Sequence, residues 1–309
     1  LQSVVDELWQ SFREETDFLV EARNLEEFRR NNAGCVYLEC PKPYPALCTR
    51  HVVVMDYVDG VAIDDTAELA AQGYDCAEIG EKLMDNYASQ MLDDGFFHAD
   101  PHPGNLVVSG GKIDYMDLGI MGRLNASDRR CVSDMVMAVA RRDSAGLADG
   151  LLRFSVGDTL EVDYAHLLGE LDAIIANYGA ADLSDLDIGG FVNSLVTMAR
   201  RNGIELPSSV TMLARALVTL EGVVDNLLPN ASMVDIIKRH LRAHESLNDL
   251  TKQEARQLLR EGVAASHGLL EAAGESGHAM RMLTRGQLRL NLDVAGTEDP
   301  LEDIGRIVN

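Results

Sequence analysis

The chain has 309 residues, and 50 acidic against 27 basic side chains give it a formal net charge of −23. Nucleic-acid binding depends on clustered Lys and Arg, and attraction to anionic lipid depends on basic surfaces, so this balance disfavours both kinds of electrostatic partner. The five cysteines include no C-x-x-C pair, which favours a reducing compartment over a disulfide framework or a zinc site.

Helical spacing dominates the beginning of the chain and returns later. Apolar residues recur at three- and four-residue steps through residues 1–33, which predicts helix there. Residues 35–58 carry VYLEC and the β-branched run RHVVVMDYV, bounded by prolines and a glycine, and this pattern predicts strands. Residues 77–94 again have helical spacing, which ends before Gly95.

After this helix, the sequence predicts a loop, a hairpin and a long helical region. FFHADPHPGN at 96–105 is so rich in proline and glycine that we expect no regular structure. Two short apolar runs about Gly110 and Gly111 predict a β-hairpin. Residues from about 125 to 290 predict helices separated by short polar breaks. The order of elements predicts an α+β fold, with a small sheet-bearing lobe and a larger helical one.

The loop and the hairpin hold the side chains with the clearest chemistry. Asp100 is followed five residues later by Asn105, and Asp117-Leu118-Gly119 follows the hairpin. Phosphoryl transfer needs a carboxylate that orients or deprotonates the nucleophile, and Mg²⁺ held by one or two protein oxygens. These residues stand in the order that kinases use. We therefore predict Asp100 as the base or orienting group and Asn105 and Asp117 as metal ligands.

The same loop allows a second interpretation. His98, Asp100 and His102 form an HxDxH pattern, which can hold zinc or iron in a metallohydrolase. The joint spacing of Asp100, Asn105 and Asp117 favours the kinase-like interpretation, in which the two histidines shape the loop through hydrogen bonds. The metallohydrolase remains the less favoured alternative.

At this point the residues resemble the UbiB family of atypical protein-kinase-like proteins, which is linked to ubiquinone biosynthesis. HADPHPGN at 98–105 resembles the family's catalytic loop, where it replaces the His-Arg-Asp of ordinary kinases. The helical segment 206–229 is also similar to the family's large lobe. Further residues resemble the family's nucleotide-binding positions: Glu15 and Asp17 its Glu-x-Asp motif, Glu21 its helix-C glutamate, and Asp56, Tyr57 and Val58 its hinge.

The resemblance implies a protein-kinase-like fold that binds ATP and Mg²⁺. It implies a partial small lobe over residues 1–58 and a large helical lobe, with catalytic loop and metal-binding hairpin, over 59–309. The chain departs from the family in lacking a Lys-x-Gly-Gln helix, an alanine-rich nucleotide loop and a strand lysine to pair with Glu21. Both ends look truncated, so we expect an internal piece of a longer protein that is inactive by itself.

Besides the metallohydrolase, two functions of different classes remain. The first is an atypical kinase or ATPase that supports quinone or isoprenoid-lipid metabolism at the cytoplasmic side of a membrane. Its implied partners are a nucleotide and either quinone-biosynthesis proteins or lipid, and no nucleic acid is expected. The second is a kinase-shaped pseudoenzyme that binds partners without turnover. Retention of Asp100, Asn105 and Asp117 favours the enzyme, whereas the missing strand lysine favours the scaffold only if the complete protein lacks it as well.

Overall fold

The structure is a computed structural model that describes residues 17–160, 162–178, 187–229 and 232–243. Helices and small sheets alternate through them, which confirms the predicted α+β class. The helices are α1 Phe18–Asn31, α2 Thr66–Ala71, α3 Cys76–Ser89, α4 Ala126–Arg141, α5 Ser144–Phe154, α6 Tyr164–Tyr178, α7 Ile188–Arg201, α8 Ser208–Leu227 and α9 over 233–243. The strands are β1 Leu38–Glu39, β2 Val61–Ala62, β3 Phe96–His98, β4 Leu106–Ser109, β5 Lys112–Tyr115 and β6 Met121–Arg123.

Helix α1 begins at a side-chain cap and buries one face. The Asp17 carboxylate accepts a hydrogen bond of 3.2 Å from the backbone N–H of Leu19, which satisfies one of the free donors at the start of a helix. Leu25 and Phe28, three residues apart, lie on the buried face. The predicted helix is therefore confirmed over its described part, and the earlier part of that prediction falls on residues 1–16, outside the described residues.

The strand predicted over residues 50–58 is wrong in most of its length. Only isolated bridges form in this region, between Thr49 and Val52 and between Pro43 and Met55. A proline has no N–H to donate, so a ladder cannot continue regularly through Pro43. Among the described residues, the β-branched run therefore forms no continuous strand.

The predicted hairpin is confirmed, and it lies at the centre of a four-stranded sheet. The strand order is β1-β5-β4-β2, in which β1 runs parallel to β5 and the other pairs are antiparallel. Gly110 and Gly111 have φ values of 56° and 81°, the left-handed conformations that a two-residue hairpin turn requires. Strand β1 lies before residue 58, and the other three strands of this sheet lie after residue 58. The division into lobes at residue 58 stays a prediction.

A second, two-stranded sheet was not predicted. Strand β3 pairs antiparallel with β6, with Phe97 opposite Gly122 and His98 opposite Met121. A Cβ atom at position 122 would lie 2.0 Å from the Phe97 ring, so only glycine allows this close approach. We expected irregular structure throughout 96–105, and this is wrong for β3. The proline-rich loop begins directly after this buried apolar strand.

Helix α3 confirms the helical prediction for 77–94 but ends in an unusual way. After Ser89 the chain widens into a π-helical turn, Gln90–Asp94, and Gly95 closes it at a φ of 63°. Such turns are rare and often occur at functional sites. Tyr87 and Met91, both fully buried, place this end of the helix in the main hydrophobic core beneath β3 and β5.

Helices α4 to α9 confirm the helical prediction for the described residues between 126 and 243, whereas residues 161, 179–186, 230–231 and 244–309 lie outside the described part. A second apolar cluster lies between α5, α6 and α7 and includes Leu147, Leu167 and Ala199. The Glu221 carboxylate of α8 accepts two hydrogen bonds of 2.6 Å from the backbone at the start of α7, where negative charge is favoured. In the described ranges, no helix combines the length and the apolar character needed to cross a membrane.

A buried histidine connects α9 to the end of α3. His240 is 7% exposed, and its Nδ1 lies 3.0 Å from the carboxylate of Asp85 while its Nε2 lies 2.9 Å from that of Asp93. Burial alone lowers the pKa of His240, but the hydrogen bonds to Asp85 and Asp93 outweigh it and raise the pKa to about 9. The imidazolium therefore stabilises the contact between α9, α3 and the π-helical turn.

We predict that this stabilisation depends on pH. Because the pKa rises from 6.5 in the unfolded chain to about 9 in the folded one, the contribution is complete below pH 6.5 and is lost as the pH rises through 9. His240→Gln should lower the free energy of unfolding by roughly 2 kcal/mol at pH 6, after discounting for the half-exposed Asp85. The difference between the variant and the unsubstituted protein should shrink towards pH 10, as measured by urea unfolding at several pH values. An equal difference at every pH would contradict the ionic character of this contact.

Candidate functional site

The loop after β3 has a fixed shape that depends on short-range hydrogen bonds. The amide of His102 donates to the carbonyl oxygen of Asp100 at 2.7 Å, and the amide of Asn105 donates to that of His102 at 2.8 Å. The His102 ring accepts from the amide of Gly104 through Nδ1, at 3.0 Å. These contacts close a short 3₁₀ turn, Pro103–Asn105, which presents Asn105 at the start of β4.

Asn105 has a defined orientation within this loop. Its side-chain Nδ2 donates to the carbonyl oxygen of Asp100 at 3.2 Å. Because the nitrogen is engaged there, the side-chain oxygen Oδ1 is the atom that remains to ligate a cation. An amide oxygen is a suitable ligand for Mg²⁺.

Asp117 stands just beyond the end of β5. Its carboxylate is exposed, and one of its oxygens accepts a hydrogen bond of 2.8 Å from the amide of Gly119. Leu118, between them, is fully buried, so its apolar side chain anchors the turn from below. The site thus has an outward-facing carboxylate on an anchored turn, which fits a group that binds Mg²⁺ directly.

Strand pairing brings the two halves of the site together. At one edge, the amide of Ala99 donates to the carbonyl of Ile120 at 3.0 Å, directly beyond the pairing of β3 with β6. At the other, the amide of Met116 donates to the carbonyl of Asn105 at 2.9 Å. The loop that carries Asp100 and Asn105 therefore lies alongside the turn that carries Asp117.

His98 lies beneath this pair of segments and is almost wholly buried, at 1% exposure. Burial lowers its pKa to about 4, although the nearby carboxylates of Asp117 and Asp100 act in the opposite direction. The ring is therefore neutral at physiological pH. Its Nδ1 accepts from the amide of Asp100 at 3.3 Å, and its Nε2 has no hydrogen-bond partner among the described residues.

The hydrogen bonds of the two histidines argue against the metallohydrolase interpretation. His98 uses Nδ1 within the loop, and its ring packs on Tyr115 with the ring centroids 5.8 Å apart. His102 uses Nδ1 on the amide of Gly104. In the part of the chain that the structure describes, no three His, Cys, Asp or Glu side chains form a group that could hold a metal ion. A zinc or iron site with three such ligands therefore has no geometric support.

Glu21 of α1 lies close to Asp117. It is 9% exposed, and burial together with the charge of Asp117 raises its pKa to about 7. Among the described residues, no lysine or arginine forms an ion pair with it. The site thus combines several acids with little compensating positive charge, which is an arrangement that a bound cation would stabilise.

The other predicted nucleotide-binding residues lie at different places. Asp17 caps α1 and forms an ion pair of 3.4 Å with Arg50, whereas Glu15 lies outside the described residues. Asp56 accepts a hydrogen bond of 2.6 Å from the hydroxyl of Tyr44, and Tyr57 is 89% exposed. Val58 is half-buried. The proposed roles of all these residues stay predictions.

The sequence pattern missed the residues that hold the site in place. Asn24, 8% exposed, donates from Nδ2 to the carbonyl oxygen of Leu118 at 2.7 Å and so ties α1 to the Asp117 turn. Gln90 and Tyr87 of the α3 region hold the backbone of His98. A polar residue inside an otherwise apolar helical face is the only sequence signal that could have identified them.

Comparisons with known proteins identify the family that this chain resembles. Residues 1–150 match the family model of the ABC1 atypical kinase-like domain, and residues 171–232 match that of the UbiB helical domain. The "Probable protein kinase UbiB" of Histophilus somni is 29% identical over 248 residues, which are 77% of this chain and 45% of that protein. The chloroplastic "ACTIVITY OF BC1 COMPLEX KINASE 7" of Arabidopsis thaliana is 30% identical over 72% of this chain and 32% of that protein.

Two further similarities concern length and fold. The "Uncharacterized protein in hydrogenase 1 5'region" of Clostridium pasteurianum is 29% identical over the whole chain, which spans 58% of that protein. The chain thus covers between about a third and three fifths of these relatives. The erythromycin complex of Rv3197 from Mycobacterium tuberculosis matches 76% of this chain and 60% of its own, with a TM-score of 0.52 and 18% identity, which supports the fold alone.

We predict that Asn24→Leu destabilises the protein, because it leaves the buried carbonyl of Leu118 without a donor. An unsatisfied buried acceptor costs about 1–3 kcal/mol. Urea unfolding measures the loss. Glu26→Leu, which places the same side chain on the exposed face of α1, is the matched control and should change the free energy of unfolding by less than about 0.5 kcal/mol. A loss in the control as large as in Asn24→Leu would show that the hydrogen bond is not its cause.

Proposed function

Because the chain belongs to the UbiB family of atypical kinase-like proteins, we propose that the site of Asp100, Asn105 and Asp117 binds Mg–ATP and catalyses phosphoryl transfer or ATP hydrolysis. The observation that carries this proposal is the pairing of β3 with β6 and of β4 with β5. That pairing sets the loop of Asp100 and Asn105 beside the Asp117 turn. Phosphoryl transfer depends on such positioning and on charge stabilisation rather than on covalent chemistry.

Each of the three residues has a distinct proposed role. Asn105, through Oδ1, and Asp117, through its exposed carboxylate, hold Mg²⁺, which neutralises the polyphosphate of the bound nucleotide. Asp100 orients or deprotonates the attacking hydroxyl or water. Hydrogen bonds to His98, His102 and Asn105 fix the backbone of Asp100, so its exposed carboxylate is attached to a backbone of defined position.

The surrounding acids belong to the same proposal. Glu21 lies near Asp117 and would form an ion pair with a lysine, as the resemblance implies. Glu15 and Asp17 are proposed to contribute at the start of α1, and Asp56, Tyr57 and Val58 to hold the adenine. Tyr57 is exposed, which leaves its side chain accessible to a ligand.

We further propose that the reaction supports quinone or isoprenoid-lipid metabolism at the cytoplasmic side of a membrane. Support comes from the family and from the relatives named as UbiB kinases. Partners would be quinone-biosynthesis proteins or lipid, in addition to the nucleotide. Assaying ATP hydrolysis by the complete protein with and without lipid vesicles and quinone-precursor mimics tests this part, and a rate unchanged by either would count against it.

A pseudoenzyme scaffold is the second candidate. Kinases need an ion pair between a lysine and the helix-C glutamate for turnover, and among the described residues none joins Glu21 to a lysine or arginine. A complete protein that also lacked this lysine would be the scaffold. A scaffold would bind Mg–ATP without hydrolysing it. Measured turnover by the complete protein therefore separates the two candidates.

We predict that Asp117→Asn abolishes nucleotide binding, because it removes the charged metal ligand. At a nucleotide concentration 100 times the Kd, binding should stabilise the unsubstituted complete protein by about 2.7 kcal/mol. The Asp117→Asn variant should show no such stabilisation when Mg²⁺ and ATP are added in a thermal unfolding experiment.

The matched control for this experiment is Asp172→Asn, which makes the same change on the exposed face of α6. It should retain the full stabilisation by Mg–ATP. If Asp117→Asn retains it as well, Asp117 is not a metal ligand and the proposed site is wrong.

Asp100→Asn is expected to separate binding from turnover. Loss of a general base lowers kcat by about 10²–10⁴-fold, whereas the amide keeps the size of the side chain and the loop contacts of the Asp100 backbone. Steady-state hydrolysis should therefore fall, while the Kd for Mg–ATP, measured by calorimetry, stays within about threefold. A variant that loses affinity as completely as Asp117→Asn would assign Asp100 to metal binding instead.

A further inference from the structure

Gln90 occupies an unusual position beneath the candidate site. It is the first residue of the π-helical turn after α3 and is completely buried, with 0% of its side chain exposed. Burying an amide without partners is unfavourable, so its contacts are expected to be specific. Both ends of this amide are satisfied by neighbouring polar groups.

The oxygen of Gln90 holds the strand that leads to Asp100. Oε1 accepts a hydrogen bond of 2.9 Å from the backbone N–H of His98, two residues before Asp100. The hydroxyl of Tyr87 donates to the carbonyl oxygen of the same His98 at 2.8 Å. The backbone of His98 is therefore fixed on both its polar atoms by side chains from the α3 region.

The nitrogen of Gln90 holds the strand that leads to Asp117. Nε2 donates to the hydroxyl oxygen of Tyr115 at 3.1 Å, and Tyr115 is the last residue of β5, two residues before Asp117. Nε2 also donates to Oδ1 of Asn86 at 2.7 Å. One buried amide thus connects the segment of Asp100 to the segment of Asp117.

The π-helical turn and the polar cluster make this connection rigid. The backbone N–H of Gln90 donates to the carbonyls of both Asn86 and Tyr87, so its backbone is still held by the last turn of α3 where the π-helical turn begins. Asn86, 2% exposed, in turn donates from Nδ2 to the side chain of Asn32 at the end of α1, at 2.7 Å. Fully satisfied buried networks of this kind specify one arrangement of the groups attached to them.

We propose that Gln90 is a positioning residue that sets the separation between the loop of Asn105, which donates to the carbonyl of Asp100, and the turn of Asp117, and thereby the affinity of these two metal ligands for Mg²⁺. The inference rests on the proposed function and assigns to it a residue outside the loop and the hairpin. Residues that orient metal ligands through hydrogen bonds commonly change metal affinity by 10- to 100-fold when substituted.

The test uses Gln90→Met in the complete protein, since methionine keeps the length of the side chain but has neither polar atom of the amide. The measurement is the Mg²⁺ concentration that half-saturates ATP binding, determined by calorimetry at fixed ATP. We expect it to rise about tenfold. A residue with only a structural role would reduce the fraction of folded protein and its thermal stability, without changing the half-saturating Mg²⁺ of the molecules that remain folded.

Asn202→Leu is the matched control, because Asn202 likewise donates two side-chain hydrogen bonds, to Glu170 and to the carbonyl of Met198, but at the end of α7. It should lower stability and leave the half-saturating Mg²⁺ unchanged. Tyr115→Phe serves if Gln90→Met does not fold. It removes the hydroxyl that accepts from Gln90 and donates to Asn86, keeps the ring packed on Phe28, and should raise the half-saturating Mg²⁺ about threefold.

The outcomes separate this inference from the function on which it rests. An unsubstituted protein without Mg²⁺-dependent ATP binding overturns the proposed function and the inference with it. Normal binding by the unsubstituted protein, with an unchanged half-saturating Mg²⁺ in the folded Gln90 or Tyr115 variant, overturns the inference alone.

Discussion

The fixed backbone of His98 is the constraint on which the candidate site depends. A buried strand must satisfy every polar backbone group, and β3 has only one strand partner, β6, among the described residues. Side chains from the α3 region supply the remaining contacts, through Gln90 and Tyr87. Because those contacts fall at His98, the rigid part of the chain extends to within two residues of Asp100, and the exposed carboxylate is attached to a fixed base.

Helix α1 provides a second support for the site. Asn24 holds the carbonyl of Leu118, and Glu27 forms a bidentate pair with Arg123 of β6, with distances of 2.7 and 2.6 Å. Glu21, three residues before Asn24 on the same helix, lies near Asp117. Movement of α1 would therefore displace the Asp117 turn and the acid beside it together, which makes this helix a physical connection between the nucleotide side and the metal side of the proposed site.

The electrostatics of the site follow from burial more than from the net charge of −23. His98 is neutral because burial lowers its pKa to about 4, and the pKa of Glu21 is about 7 because burial and Asp117 oppose its ionisation. His98 therefore supplies no positive charge to balance Asp117 and Asp100, and Glu21 can only add negative charge to them. A divalent cation would supply that balance, and the oxygens of Asn105 and Asp117 are suitable to hold it.

The sequence by itself determined the elements whose causes are local. Periodic apolar residues predicted the helices, Gly110 and Gly111 predicted the hairpin because its turn needs two left-handed residues, and the spacing of Asp100, Asn105 and Asp117 predicted the candidate site. Only the tertiary structure decided which segments pair. The pairing of Phe97 with Gly122, the lack of a continuous strand over residues 50–58, and the burial of His98 depend on partners distant in the chain. The sequence also could not predict the role of Gln90, because the partners of its amide lie on two strands that only the fold brings together.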